Sequence, residues 1–153
     1  MLRDQITETM KDAMRSKDTL ALTTVRLIRA ALKDRDIAAR SKGNQDGIGE
    51  DEILSMLQSM IKQRRDSIDM YEKGGRPELA KQEADEIVVI ENFLPEQMDE
   101  SAVNEAIDVI IAEFEASAMK DMGRVMAALK ERFAGSMDFG KASALVKNKL
   151  CGQ

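Results

Sequence analysis

The sequence predicts an all-α protein, on three observations. Leu, Ile, Val, Ala and Met dominate the apolar residues, while aromatics make up 3% and proline occurs twice, a balance that favours helices over strands. Apolar positions recur at three- and four-residue spacing rather than in alternation. The breaks in that spacing fall at glycine, proline and capping residues. A chain of 153 residues can bury one sizeable core, or a main domain with a small appendage. The expected architecture is an N-terminal antiparallel helical domain over residues 1–95, of about four helices, and a small C-terminal three-helix domain over 96–153.

The first helix is expected over Leu2–Arg15, with Leu2, Ile6, Met10, Ala13 and Met14 inward. Asp18 reads as the N-cap of a second helix carrying Val25, Ile28 and Leu32 on one face, which fades into a polar, glycine-bearing loop from Ser41 to Glu50. A third helix opens at Glu50-Asp51-Glu52 and ends at Gly74-Gly75, its stripe formed by Ile53, Leu57, Met60, Ile61, Ile68 and Tyr71. The acidic triplet can complement the helix dipole or hold a cation; first-turn acids usually do the former. Pro77 suits the first turn of a fourth helix that continues to Leu94, where Pro95 ends it and marks the domain boundary.

Arg64 interrupts the apolar stripe of the third helix. In a hairpin centred on Gly75, Arg64 and Glu86 each lie eleven residues from the centre. An ion pair of Arg64 with Glu86 or Glu83 is therefore expected between the two helices, because an unpaired buried guanidinium would cost on the order of several kcal/mol. Asp99 then caps a fifth helix with Val103, Ile107, Ile110 and Phe114 inward. A sixth carries Val125, Met126, Leu129 and Phe133, and Asp138 caps a seventh with Ala142, Leu145, Val146 and Leu150.

Composition narrows the chemistry. There is no histidine, and the one cysteine is Cys151, so histidine-dependent nucleophilic catalysis lacks its base and a zinc site lacks its ligands. No phosphate-cradling loop or dinucleotide fingerprint occurs. We therefore expect no catalytic residue, no metal, no cofactor and no small-molecule substrate. The first residues contain no apolar stretch of signal length and no run is long enough to span a membrane, so a cytosolic protein without membrane partners is expected.

Two segments are basic against a net charge of −5. From Thr19 to Gln45 there are six bases and two acids, with Arg26, Arg29 and Lys33 along one flank of the second helix. From Ala118 to Gln153 there are seven bases and three acids, among them Lys120, Arg124, Lys130, Lys141 and Lys147. Such strips can track phosphates or simply face water. Gly123, near the start of the sixth helix, suggests a close approach by another backbone, either the seventh helix or a nucleic acid. Eleven methionines could line an adaptable peptide groove, although Met10, Met14, Met60 and Met126 sit at core spacing.

The segments VRLIRAALKDRDI (25–37), IKQRRDSIDMYEKGGRPELAKQEADEI (61–87), ENFLPEQM (91–98) and KDMGRVMAAL (120–129) together resemble the YqeY family of the GatB/YqeY superfamily. That resemblance implies a helical protein whose C-terminal part is similar to the tail of the B subunit of the tRNA-dependent amidotransferase, where the tail helps hold tRNA. By motif it carries over Gly123, Arg124, Val125 and Met126, then Gly140, Val146, Lys147 and Leu150, with Phe139 standing where the family more often has a small residue. The function expected from it is a tRNA-associated accessory protein without activity of its own, linked by family to glutamine-dependent tRNA amidation. The alternatives are an adaptor for a protein complex and, last, a carbon-nitrogen ligase using glutamine as amido-N-donor.

Overall fold

The structure is a computed structural model describing residues 1–152, all helix and connecting turn with no strand among them. Gln153, the end of the expected second domain, lies outside the described residues. The helices are α1 (Leu2–Ser16), α2 (Thr19–Ser41), α3 (Glu50–Lys73), α4 (Pro77–Glu91), α5 (Glu100–Glu113), α6 (Met122–Arg132) and α7 (Phe139–Cys151), with a 3-10 turn at Met119–Asp121 before α6. They fall into two compact units, one from Met1 to Leu94 and one from Pro95 onward.

In the first unit, α1 ends where Lys17 adopts a left-handed conformation, φ 59°. The chain turns there, and the Asp18 carboxylate accepts the Ala21 amide at 3.1 Å to start α2. α3 and α4 form a hairpin whose turn is made by Gly75 at φ 72° and whose second helix opens on Pro77. α4 stops at Glu91 rather than Leu94. Pro95 disfavours helical geometry in the residue before it, and the chain leaves α4 through a turn in which the Phe93 and Leu94 amides reach back to Ile90 and Glu91. Phe93 is thereby dropped into the core.

That core is aliphatic: Ile6, Val25, Ile28, Ile53, Met56, Leu57 and Ile90 are all essentially inaccessible. Met56 is an inward residue that the expected α3 stripe lacked, although it sits three residues after Ile53. Met14 is the opposite case, 53% exposed, because it lies about 100° around α1 from the buried Ala13.

The second unit builds a separate core from Ile107, Ile110, Val125, Leu129, Met137, Ala142 and Val146. Asp99 caps α5 by accepting the Ala102 amide at 2.7 Å, and Asp138 caps α7 through the Gly140 and Lys141 amides. The loop between α6 and α7 is tied down where the Met98 amide donates to the Ser136 carbonyl and the Gln97 side chain to that of Gly135.

Candidate functional site

Polar side chains of the first unit gather where α1 meets the far end of α2. Arg3 grips Asp36 with two nitrogens at 2.8 and 2.9 Å and donates a third bond to the Ile48 carbonyl. Asp36 in turn accepts the Ile48 amide at 2.9 Å. The Arg3 guanidinium, and after it the Ile48 amide, outweigh desolvation and hold the Asp36 carboxyl down at about 2; its hydrogen bond to Asp36 chiefly raises Arg3. Gly47 permits this closure. It sits at φ 84°, and a Cβ there would strike the Asp36 carboxylate.

Beside this knot runs a groove between α1 and α2, a concavity of about 570 Å³. Ile6 and Leu32 form its floor, and Arg29, Lys33 and Arg40 stand along it with the half-exposed Ile37. Asp36, the acid in the groove, is already engaged by Arg3, and the Arg29 guanidinium meets only the weakly accepting sulfur of Met10 at 3.0 Å. Arg29 and Lys33 thus share the groove, whereas Arg26 is exposed and does not line it.

Inside the α3–α4 hairpin, Arg64 Nε donates to Glu86 Oε2 at 2.9 Å and lies 4.0 Å from Glu83. One guanidinium nitrogen also caps the Met60 carbonyl. The Arg64 and Glu86 side chains are 12% and 10% exposed, so this pair is largely desolvated. Burial first, and then the neighbouring Glu86, raise the Glu83 carboxyl.

In the second unit, Arg124 is bound to its own fold. It donates to Asp121 at 2.8 Å and to the Phe114 carbonyl at 3.3 Å, with its guanidinium carbon 5.7 Å from the Phe114 ring centroid. Asp121 also accepts the Ser117 and Ala118 amides; the Ser117 amide, followed by Arg124, holds its carboxyl below the usual range. Gly123 is exposed and a Cβ there would meet open space. Of the two approaches expected at that position, α7 makes none, since nothing within the described residues comes within 4 Å of such a Cβ.

Lys120, Lys130, Lys141 and Lys147 are exposed, but Lys141 and Lys147 point about 120° apart around α7 and do not form one stripe. The acids of α5 also meet the bases of the tail. Glu113 pairs with Arg132 through both oxygens and Asp108 with Lys149 at 2.7 Å. From residue 96 onward there are ten acids and seven bases, so the positive balance of the tail depends on cutting the sequence at Ala118. Cys151, the last residue of α7, is an exposed free thiol. No group of three or more His, Cys, Asp or Glu side chains suited to a metal occurs among the described residues.

Fold and polar network together define an all-helical protein in which buried ion pairs hold helices in place and a basic groove lies open between α1 and α2. The chain belongs to the YqeY-like protein family, the match running over residues 3–150. It is similar to proteins named "Altered inheritance of mitochondria protein 41, mitochondrial" from fungi. That of Pyrenophora tritici-repentis is 30% identical over 132 residues, covering 83% of this chain and 70% of the relative. That of Kluyveromyces lactis is 32% identical over 84 residues, 55% of this chain and 43% of the relative. The protein of Saccharomyces cerevisiae strain YJM789 is 29% identical over 100 residues, 65% of this chain and 50% of the relative. The chain thus spans about half the length of several curated relatives it matches.

These relatives correct two expectations. Their names speak of mitochondria and their inheritance, with no mention of tRNA or amidation, which overturns the tRNA-associated function linked to glutamine-dependent amidation. The charge that suggested it is partly neutralised by α5, and Arg124 is engaged within its own unit. The cytosolic expectation falls with it, since the relatives are named mitochondrial proteins. No described helix is long and apolar enough to cross a membrane.

Proposed function

We propose that this protein is a docking module that binds another protein through the groove between α1 and α2, with its four-helix and three-helix units acting as separate domains. The observation that carries this role is the state of the bases on α2. Elsewhere in the first unit all helix lysines and arginines but Lys73 meet an acid, either one turn away, as Lys11 with Glu8, Arg15 with Asp12, Lys62 with Asp66 and Lys81 with Asp85, or on another helix, as Arg3 with Asp36, Arg64 with Glu86 and Arg65 with Glu91. On α2, Arg26, Arg29, Lys33, Arg35 and Arg40 form no ion pair among the described residues.

Like charges one turn apart, as at Arg29 and Lys33, cost a helix about 0.2–0.5 kcal/mol per pair. A row of them beside a concave surface fits a binding face better than a helix optimised for itself. The relatives' names refer to the inheritance of an organelle rather than to a reaction, which accords with a binding role. A photo-crosslinking residue in place of Ile37, used in the full-length chain inside cells, tests the role. A discrete protein adduct that survives nuclease treatment and is absent with the crosslinker at exposed Met70 is expected; no protein adduct at Ile37 refutes it.

A further inference from the structure

We infer that the occupant of the α1–α2 groove is an acidic amphipathic helix of a partner protein. The inference rests on the docking role proposed above and names the partner's chemistry. Charge complementarity is its first support. Arg29, Lys33 and Arg40 stand along the groove, and the internal acid Asp36 is closed off by Arg3. These three bases attract carboxylates without displacing an existing acid, Arg29 having only the Met10 sulfur to release.

The surface between the bases is the second support. Ile6 and Leu32 floor the groove, while Ala30 and the half-exposed Ile37 remain open to a ligand. A phosphate backbone gains nothing from isoleucine and alanine at its contact face. A helix carrying leucines on one side and glutamates along its edges matches both kinds of surface.

Length is the third. Arg29 and Arg40 are eleven residues apart on α2, about 16 Å along the helix axis. Three turns of a docked helix cover that span, with apolar anchors at positions i, i+4 and i+7 and acids at the flanks. Arg3 and Asp36 hold one end of the groove in shape, so the site requires no folding of its own when a ligand arrives.

The probe is a helical synthetic peptide of about five turns, with leucines at i, i+4, i+7 and i+11 and glutamates on both flanks, titrated into the full chain while amide chemical shifts are followed. Three controls accompany it: the same peptide with serine in place of leucine, the same with lysine in place of glutamate, and a duplex RNA. Saturable binding is expected, weakening with salt and shifting the amides around Arg29, Lys33, Ile37 and Arg40. The serine and lysine controls should bind about ten-fold more weakly or worse.

Lys33→Glu combined with Arg40→Glu should abolish peptide binding with the helical circular dichroism spectrum intact, and the milder Lys33→Gln should weaken it. Equal binding by the leucine and serine peptides would mean simple attraction of polyanions and would overturn the inference, as would tighter binding of the duplex RNA at the same amides. If the acidic peptide fails to bind while Ile37 still crosslinks to a protein, the acidic-helix inference falls and the docking role stands. If Ile37 captures no protein, the docking role itself falls.

Discussion

At the scale of single residues, Asp36 carries more than its length suggests, because one carboxylate joins α1, α2 and the loop before α3. Asp36→Ala is expected to destabilise the protein by about 1.5–3 kcal/mol near neutral pH, the range for hydrogen bonds to charged groups. Its carboxyl is depressed in the folded state, from about 3.9 in an unfolded chain to about 2. Its stabilisation is therefore complete above about pH 4 and fades as pH falls towards 2. Urea denaturation at neutral and acid pH checks this: the gap between wild type and Asp36→Ala should narrow with acid. Two glycines should respond in opposite directions. Gly47→Ala meets both an unfavourable φ and the Asp36 carboxylate, and should cost more than about 1 kcal/mol. Gly123→Ala enters open space on a helix and should stabilise by about 0.5 kcal/mol. Thermal melts of the two variants decide the matter.

At the scale of elements, the hairpin of α3 and α4 depends on a nearly dry ion pair. Arg64→Ala should cost about 3 kcal/mol by leaving Glu86 unpaired, whereas Arg64→Leu combined with Glu86→Leu should recover most of that loss. Equal stability of the single and double variants in denaturant titrations would count against this account. The pairing was legible in the sequence because a glycine turn fixes the register of a hairpin, so counting from Gly75 sets Arg64 against Glu86. The caps at Asp18, Asp99 and Asp138 were legible because they act over two or three residues. The Arg3–Asp36–Ile48 knot was not, since its members lie 33 and 45 residues from Arg3 and no periodicity links them. Its faint trace was an isoleucine, Ile48, in a polar loop beside Gly47. The basic groove was half legible: Arg29 and Lys33 stood out, but the role of α1 as its other wall, and of Arg40 beside Ile37, required the fold.

At the scale of the whole molecule, the two units have separate apolar cores. Leu129→Ala, which should cost about 2–5 kcal/mol, is expected to release the amides of α5, α6 and α7 to hydrogen exchange while those of α3 and α4 stay protected. Simultaneous loss of protection along the entire chain would show instead that the units unfold as one. Charge also acts at this scale. Of the bases after Pro95, α5 engages Arg132 through Glu113 and Lys149 through Asp108, while Lys120, Lys130, Lys141 and Lys147 stay exposed.

The knot at Asp36 also has a kinetic meaning. Contacts between residues 33 and 45 apart require closure of long loops, each with an entropic cost that local hairpins avoid. The α3–α4 hairpin can form early from neighbouring sequence, while the grip of Arg3 on Asp36 forms only after α1 and α2 have come together. Asp36→Ala should accordingly speed unfolding and leave the folding rate nearly unchanged, which stopped-flow measurements with both limbs of the denaturant plot would show. The clasp that shapes the groove is then also the latch that sets how long the first unit stays shut.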